Sequence, residues 1–402
     1  MAREGERRQW WWAALPVALA LAAAGWFARG PLGGAVAWVG TRAADVAAVV
    51  GDWASRLRDM AGTVPAGAVD EDPSAGVSRS ALLVLGGKAD RCAFVLVSVS
   101  PDGEAALTLL PQALRGVVPG YGEFSLAEAL AFEDADLVAL TVTNLLGVRI
   151  DRVLPLALGS LAAALPAEVA VDLPVPLFSA TGGGAVEVLP AGPQSVDRYS
   201  VERLLIEMGA GDPFEWLQRQ GAAWTGILGA VAADPAVADG LAAGMLSGGA
   251  EVAALLKVVA AAAHPLVGSL PVRQVAALSG EAFVLSADAT DQFVAGRLGH
   301  LLLRLGERAR VEVLNGNGRI GATRLVAELV VRRGFRVVRT DNADRFDYAS
   351  TIVVAQGQDA LAAAREAAGV VGAGSVYLEE ASPSLVVDVS IIVGLDIPAG
   401  EA

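Results

Sequence analysis

The stretch from Val311 to Asp341, VEVLNGNGRIGATRLVAELVVRRGFRVVRTD, constrains the fold more tightly than any other part of the chain. An apolar run reaches Leu314, a glycine-rich turn follows, and a helical apolar period then leads to Gly334 and a second apolar run. Gly316, Gly318 and Gly321 have the spacing of a dinucleotide-binding turn, and Asp341 stands about where an acid would meet the ribose. Two features weigh against that reading. Too few residues remain after Val311 for two mononucleotide-binding halves. Asn315 and Asn317 interleave the glycines, and Asn is one of the few other residues that tolerates left-handed backbone. Asn315, Gly316, Gly318 and Gly321 therefore read as a structural strand-to-helix turn. Further strands at residues 335–339, 351–355, 376–379 and 386–393, with helices at 320–333 and 360–368, complete a small α/β domain over residues 309–398. Residues 304–308 mark its boundary.

The amino terminus sets the compartment. Residues 10–28, WWWAALPVALALAAAGWFA, carry no charge and are long enough to cross roughly 30 Å of hydrocarbon as a helix. Trp10, Trp11 and Trp12 stand at one end and Trp26 at the other, where amphipathic rings favour the two interfaces. Arg3, Arg7 and Arg8 keep the leader, residues 1–9, in the cytoplasm by the positive-inside tendency. The expectation is a single-pass protein of the cell membrane with its main body outside the cytoplasm. The alternative is a cleaved signal peptide, with Ala35-Val36-Ala37 as the small-residue site. Nicotinamide nucleotides are scarce outside the cytoplasmic membrane, a second argument against the dinucleotide turn.

Charge and side-chain chemistry remove other classes. A net charge of −14 opposes attachment to nucleic acid. Cys92 is the only cysteine, so no internal disulfide forms, and with His264 and His300 as the only histidines a zinc cluster is not expected.

Residues 35–78 read as an amphipathic stalk helix followed by a Pro-, Gly- and acid-rich linker. From there strands and helices alternate. Residues 81–99 give two strands around a polar turn, 107–110 a third, and 119–122 a turn. Helical periodicity covers 126–146 and stops at Gly147, an extended excursion with a hairpin starts at Asp172, and helical pattern resumes over 196–231 and 235–270. The fold class is α/β, with the transmembrane helix, a central domain over 79–304 and the small C-terminal domain.

The C-terminal run VEVLNGNGRIGATRLVAELVVRRGFRVV, with DNADRFDYASTIVV and VDVSIIVGLD after it, resembles the LytR C-terminal domain of bacterial envelope proteins. Members of that family often carry a LytR-CpsA-Psr catalytic domain upstream, and residues 80–230 resemble one in eroded form. LLVLGGKADRCAFVLVSVSPDG, LTLLPQALRGVVPGYGEFSLAEALAF, TVTNLLGVRIDRVLPL and FEWLQRQGAAWTGIL are similar to that family's successive motifs. The resemblance implies transfer of phosphate-linked glycopolymers from a polyprenyl pyrophosphate carrier to peptidoglycan, with Mg²⁺ and arginines gripping the diphosphate.

The departures fall on the residues of that chemistry, which needs cations on phosphate oxygens and carboxylates on the metal. Gln112 and Ala113 stand where the family has Arg and Asp, Ser125 and Ala127 where it has Lys and Asn. Cys92 replaces the metal-binding Asp, and Ile206 and Met208 lie about where an arginine pair belongs. Asp90, Arg91, Arg115, Arg219 and Gln220 are the remaining ligand-binding candidates. Arg219-Gln220 reads as a helix-surface pair, with an anion contact as the alternative, and Arg115 as a solvated cation. Cys92 reads as a small core residue, and no metal ligand is assigned.

The expected function is a non-catalytic binding or assembly module in cell wall glycopolymer biogenesis. It would meet the bilayer and a polyprenyl lipid, glycopolymer or partner envelope enzyme, and need no cofactor. The alternative is an active Mg²⁺-dependent phosphotransferase using Asp90, Arg91 and Arg219. A third reading is a transcriptional attenuator, against which outward orientation and acidic charge both argue.

Overall fold

The computed structural model describes residues 79–398 apart from 89–90, 133, 182–183, 244–248, 263–264, 278–279, 374 and 381–385. The expected leader, transmembrane segment, stalk and linker, together with Asp90 and His264, lie outside the described residues.

The central domain opens with a meander, β1 (Arg79–Lys88), β2 (Arg91–Val99) and β3 (Ala105–Leu110). The chain continues through the hairpin β4 (Arg115–Val118) and β5 (Gly122–Ser125), helices α1 (Leu126–Phe132) and α2 (Ala135–Leu146), then β6 (Arg152–Leu156) and α3 (Ser160–Ala164). Next come β7 (Glu168–Leu173), the hairpin β8 (Leu177–Thr181) and β9 (Gly184–Leu189), and β10 (Gly192–Asp197), which pairs with β7. Helices α4 (Arg198–Ile206), α5 (Pro213–Ala233), α6 (Ala236–Ala243) and α7 (Gly249–Ala261) follow. The domain closes with β11 (Leu266–Ser269), the hairpin β12 (Val272–Ala277) and β13 (Gly280–Leu285), and α8 (Ala287–Arg297). The main sheet has the order β11-β3-β2-β1-β6, antiparallel in the meander and parallel at both edges.

The apolar runs of β1 to β3 are continuous because both faces of this sheet are covered. Leu83, Val95, Val97, Leu107 and Leu109 join one core with Trp224, Ile227, Leu241, Leu256 and Val259 from α5, α6 and α7. The alternate residues Leu82, Phe94 and Leu96 are fully buried on the other face, where α1 packs. Each buried aliphatic or aromatic side chain contributes roughly 1.5–3 kcal/mol.

Two helical runs that the sequence shows as continuous are divided. The period over 126–146 breaks before α2, where Asp134 accepts N-cap bonds from the amides of Asp136 at 2.9 Å and Leu137 at 3.3 Å. The period over 196–231 breaks into α4 and α5, and Asp212 and Glu215 form a capping box with Pro213 in the first turn of α5. Residues 235–270 divide into α6, α7 and the edge strand β11. Among the described residues no single helix is long and apolar enough to cross a membrane; α5 and α6 pass such a test only as a pair bent by 116°.

The C-terminal domain follows its sequence pattern closely. It comprises β14 (Arg310–Asn315), α9 (Ala322–Arg332), β15 (Arg336–Asn342), β16 (Ile352–Gln356), α10 (Leu361–Val371), β17 (Ser375–Glu379) and β18 (Val389–Val393). Sheet order is β15-β14-β18-β16-β17, with β16 antiparallel to β18. Helices α9 and α10 pack together on one face, over Val311, Val313, Val353, Ala355 and Ile391, all fully buried.

The two domains meet through backbone-directed polar contacts. The Asn144 carboxamide of α2 pairs with the main chain of Val337 in the edge strand β15. Arg308 donates to the carbonyls of Asn144 at 2.9 Å and Leu145 at 3.1 Å, satisfying the end of α2. Burial, with Arg336 adding repulsion, holds the Arg308 guanidinium down to about 10.

Candidate functional site

The segment Pro111-Gln112-Ala113 leaves the end of β3 and is pinned from three directions. The Gln112 carbonyl accepts from Ala127 N at 3.0 Å, the Ala113 carbonyl from Phe283 N at 3.0 Å, and Leu126 N donates to Leu114 O at 3.0 Å. The turn therefore joins β3 to α1 and β13, and one wall of a cleft of about 300 Å³ is built from it. Met208, Pro213, Trp216 and Leu217 form the facing wall, and Phe283 closes the end. Gln112, Ala113 and Met208, three positions at which the resemblance calls for charged groups, thus meet in one space, and no charged side chain lines it.

The Gln112 carboxamide supplies the lining's side-chain oxygen, and that oxygen accepts from the buried Cys92 thiol at 3.4 Å. Magnesium prefers octahedral hard-oxygen coordination, and one engaged amide with no carboxylate is a poor donor set for it. Among the described residues no group of three or more His, Cys, Asp or Glu could hold a metal ion. The residues present at this cleft do not fit the Mg²⁺ that the resemblance implies.

Arg219 and Gln220 correct the surface reading. Arg219 is 1% exposed and Gln220 3%. Both turn from α5 toward the main chain of the facing wall. Arg219 donates to Met208 O at 2.7 Å and Pro176 O at 3.0 Å, and Gln220 Nε2 donates to Leu205 O at 2.6 Å. Trp216 Nε1 adds a bond to Leu204 O at 3.2 Å. Three side chains of one helix thus satisfy carbonyls at and just beyond the end of α4, where a helix leaves its last carbonyls without partners. Burial pulls the Arg219 guanidinium below its ordinary value, and Glu215 at 4.0 Å opposes the shift. Their task is to hold residues 204–208, and with them Met208, against the cleft.

The remaining cations are paired with acids. Arg115 is an ion-paired residue rather than a solvated one, 3.7 Å from Glu123 and 3.6 Å from Glu128. Glu128 also accepts from the Ser125 amide at 2.7 Å and hydroxyl at 2.8 Å, and the amide bond holds its carboxyl below the usual range. Arg91 lies 3.7 Å from Glu207, whose other oxygen accepts from Arg203 at 3.0 Å. This partly exposed triad stands beside the cleft in sequence, Glu207 preceding Met208, but does not line it. Cys92 is buried as expected, and His300, in a short turn after α8, is held low by burial.

The glycine-rich turn is filled by the protein itself. Asn315 Oδ1 accepts from Asn317 N at 3.2 Å and Gly318 N at 2.9 Å, an Asx turn. Asn317 Nδ2 donates to Gly394 O at 2.7 Å, and Arg319 Nη1 to Ile397 O at 2.7 Å. Gly321 has φ +77° at the start of α9. A Cβ on Gly316 would lie 2.8 Å from both Ile392 and Tyr348. Asp341 bonds Arg339 at 2.7 Å. The strand-to-helix turn is structural, and its backbone is spent on the carboxyl-terminal segment.

The signal for Arg219 and Gln220 was present in the sequence. They lie three and four residues after Trp216 and four before Ala223 and Trp224, inside the buried stripe of α5. A polar pair in such a stripe must find buried partners.

No curated protein matches the sequence. Several solved structures show a partial likeness to the chain. They include B. subtilis TagV, with a TM-score of 0.47 and 14% identity over 56% of this chain and 97% of that one. A transcriptional regulator from Enterococcus faecalis scores 0.44 at 19% identity, over 56% of this chain and 88% of that one. The LytR-CPS2A-psr family protein YwtF (TagT), solved with bound octaprenyl pyrophosphate lipid, scores 0.43 at 17% identity, over 58% and 94%. At these identities and scores they are likenesses of shape and assign no residue roles. The family described as LytR cell envelope-related transcriptional attenuator matches residues 308–396 directly. That span takes in β14 through β18 and the turn at Asn315, so residues 308–396 of this chain are a domain of the LytR C-terminal family.

Proposed function

We propose that this chain is a membrane-anchored envelope protein facing out of the cytoplasm, whose central domain binds or assembles without catalysing transfer. One observation carries the reading. The cleft that gathers Gln112, Ala113 and Met208 has an apolar lining with a single amide, where the motif resemblance calls for guanidinium and carboxylate groups. A diphosphate held there would forgo several charge-assisted hydrogen bonds, each worth roughly 1.5–3 kcal/mol. The positions of Arg219 and Gln220 support the same reading, because their donors are committed to main-chain carbonyls. The C-terminal domain's family supports a place in the envelope, and the charge-free run over residues 10–28 supports the anchor. The partner class is a polyprenyl-type lipid, the glycopolymer it carries, or an enzyme handling either.

The test is turnover. The full chain, given Mg²⁺, a polyprenyl-pyrophosphate-linked glycopolymer and peptidoglycan, is expected to release no polyprenyl product; transfer above the no-protein control overturns the reading. A second reading, residual phosphotransfer using Asp90, Arg91 and Arg219, draws on Arg91, which is exposed beside Glu207 and Arg203. It requires turnover that Arg91→Ala abolishes.

A further inference from the structure

The C-terminal sheet carries a polar row on the face its helices leave. Strand register sets Arg339, Glu312, Ser390, Val354 and Tyr377 in one line across β15, β14, β18, β16 and β17. Residues in register share a face, and this one is opposite to Val313, Ile391 and Val353 beneath α9 and α10. Asp341, Leu314, Ile392, Ile352 and Ser375 form the adjoining row on the same face.

Glu312 is the anomaly in that line. It is 6% exposed on a central strand. Its Oε1 accepts from Ser390 Oγ at 2.6 Å, and Ser390 Oγ in turn accepts from Gln356 Nε2 at 3.1 Å. Oε2 is buried and receives no hydrogen bond. The cation facing it is Arg339, whose Nη1 stands off at 3.5 Å while Nη2 donates to Asp341 at 2.7 Å. Arg310, nearby on β14, is clamped by Asp388 through Nε at 3.1 Å and Nη2 at 2.7 Å. A buried carboxylate oxygen without a donor is a standing free-energy cost that a ligand can relieve.

We propose that this face binds a primary ammonium group on an apolar stem. The ammonium donates to Glu312 Oε2, and the Arg339 guanidinium swings away from it onto Asp341, which it already holds. The half-buried Leu314–Ile392–Ile352 row carries the stem, and the exposed Tyr377 stands at the end of the line. The chemistry selects this class. An anion would meet the carboxylates of Glu312 and Asp341, and a divalent cation would need more hard oxygen ligands than those two carboxylates, both beside Arg339, and the Ser390 hydroxyl offer. A compact –NH₃⁺ brings three rotatable donors to a site lacking one.

The site is tested with the full chain by calorimetric titration at neutral pH, using Nα-acetyl-lysine methylamide as probe and the norleucine analogue as its uncharged match. The lysine probe should bind saturably and at least tenfold more tightly than norleucine. Glu312→Gln should weaken it at least tenfold. Arg339→Ala should tighten it severalfold, because the competing cation is gone; this result also decides the matter if Glu312→Gln fails to fold. Butylammonium as a second probe separates the sources. Affinity equal to the lysine probe assigns the site to small amines, and weaker affinity to peptide-borne side chains. Absent binding, equal affinity for lysine and norleucine probes, indifference to Glu312→Gln, or weakening by Arg339→Ala each overturns the proposal.

Discussion

Asn144 treats Val337 as a strand neighbour would: its Nδ2 donates to the Val337 carbonyl at 2.8 Å and its Oδ1 accepts the Val337 amide at 2.8 Å. The second Nδ2 proton goes to Val117 O at 3.1 Å, so one buried carboxamide joins α2, the β4–β5 hairpin and the edge strand β15. Replacing it with Leu would leave buried main-chain groups unpaired at roughly 1–3 kcal/mol each. Asn144→Leu should therefore lower unfolding free energy by about 2–4 kcal/mol, read from denaturant titration of the full chain. A loss below about 1 kcal/mol would show that the joint carries little load.

Arg219 should behave as a structural residue. Arg219→Ala strands the carbonyls of Met208 and Pro176 and opens a cavity beside Trp216, at a cost of about 3–5 kcal/mol. Arg219→Lys keeps the charge but not the two-carbonyl reach and should lose less. A variant of wild-type stability that loses polyprenyl-lipid binding would return Arg219 to the ligand site.

The turn at Gly316 leaves no room for a side chain, since a Cβ would press on Ile392, Tyr348 and the Val393 carbonyl at 2.8–2.9 Å. Overpacking of this kind costs typically 1–3 kcal/mol. Gly316→Ala should lower the melting temperature of the C-terminal domain by several degrees, and Gly318→Asn, which tolerates the left-handed φ of +67°, should cost less. Equal losses would contradict the packing argument.

Acid stability should depend on the Arg310–Asp388 clamp. The hydrogen bond from Arg310 holds the Asp388 carboxyl below its usual range. The stabilisation is therefore present above the unfolded value, near pH 4, and fades as pH falls through the lower folded value. Asp388→Asn should remove that part of the slope below about pH 4 while leaving the slope between pH 6 and 8 unchanged. An identical acid limb in wild type and variant would refute the assignment.

The C-terminal domain was legible almost strand by strand because local signals agreed: apolar runs of strand length, a glycine-rich turn, and Gly334 at a helix end. The central domain was legible where runs were long, in β1 to β3, and less so where tertiary contacts decide. The short hairpins β4–β5 and β12–β13 have weak apolar alternation, and a bridge between Leu114, just before β4, and Phe283 of β13 ties them together. The break at Asp134 lies within an apolar period that continues on both sides, so only its cap marks it. At the cleft, the uncharged character of Gln112 and Ala113 could be read directly. That Arg219 faces Pro176, forty-three residues away, could not, because a helical period gives the direction of a side chain but not what waits there.

Arg308 is the first residue of the matched family span, yet its guanidinium terminates a helix that began at Ala135. The border drawn by homology is thus not a line along which the molecule can be cut. Truncating before residue 308 would expose the frayed tail of α2, and grafting the C-terminal module onto another carrier would bring an arginine with no helix to close. The two modules are spelled with a shared letter.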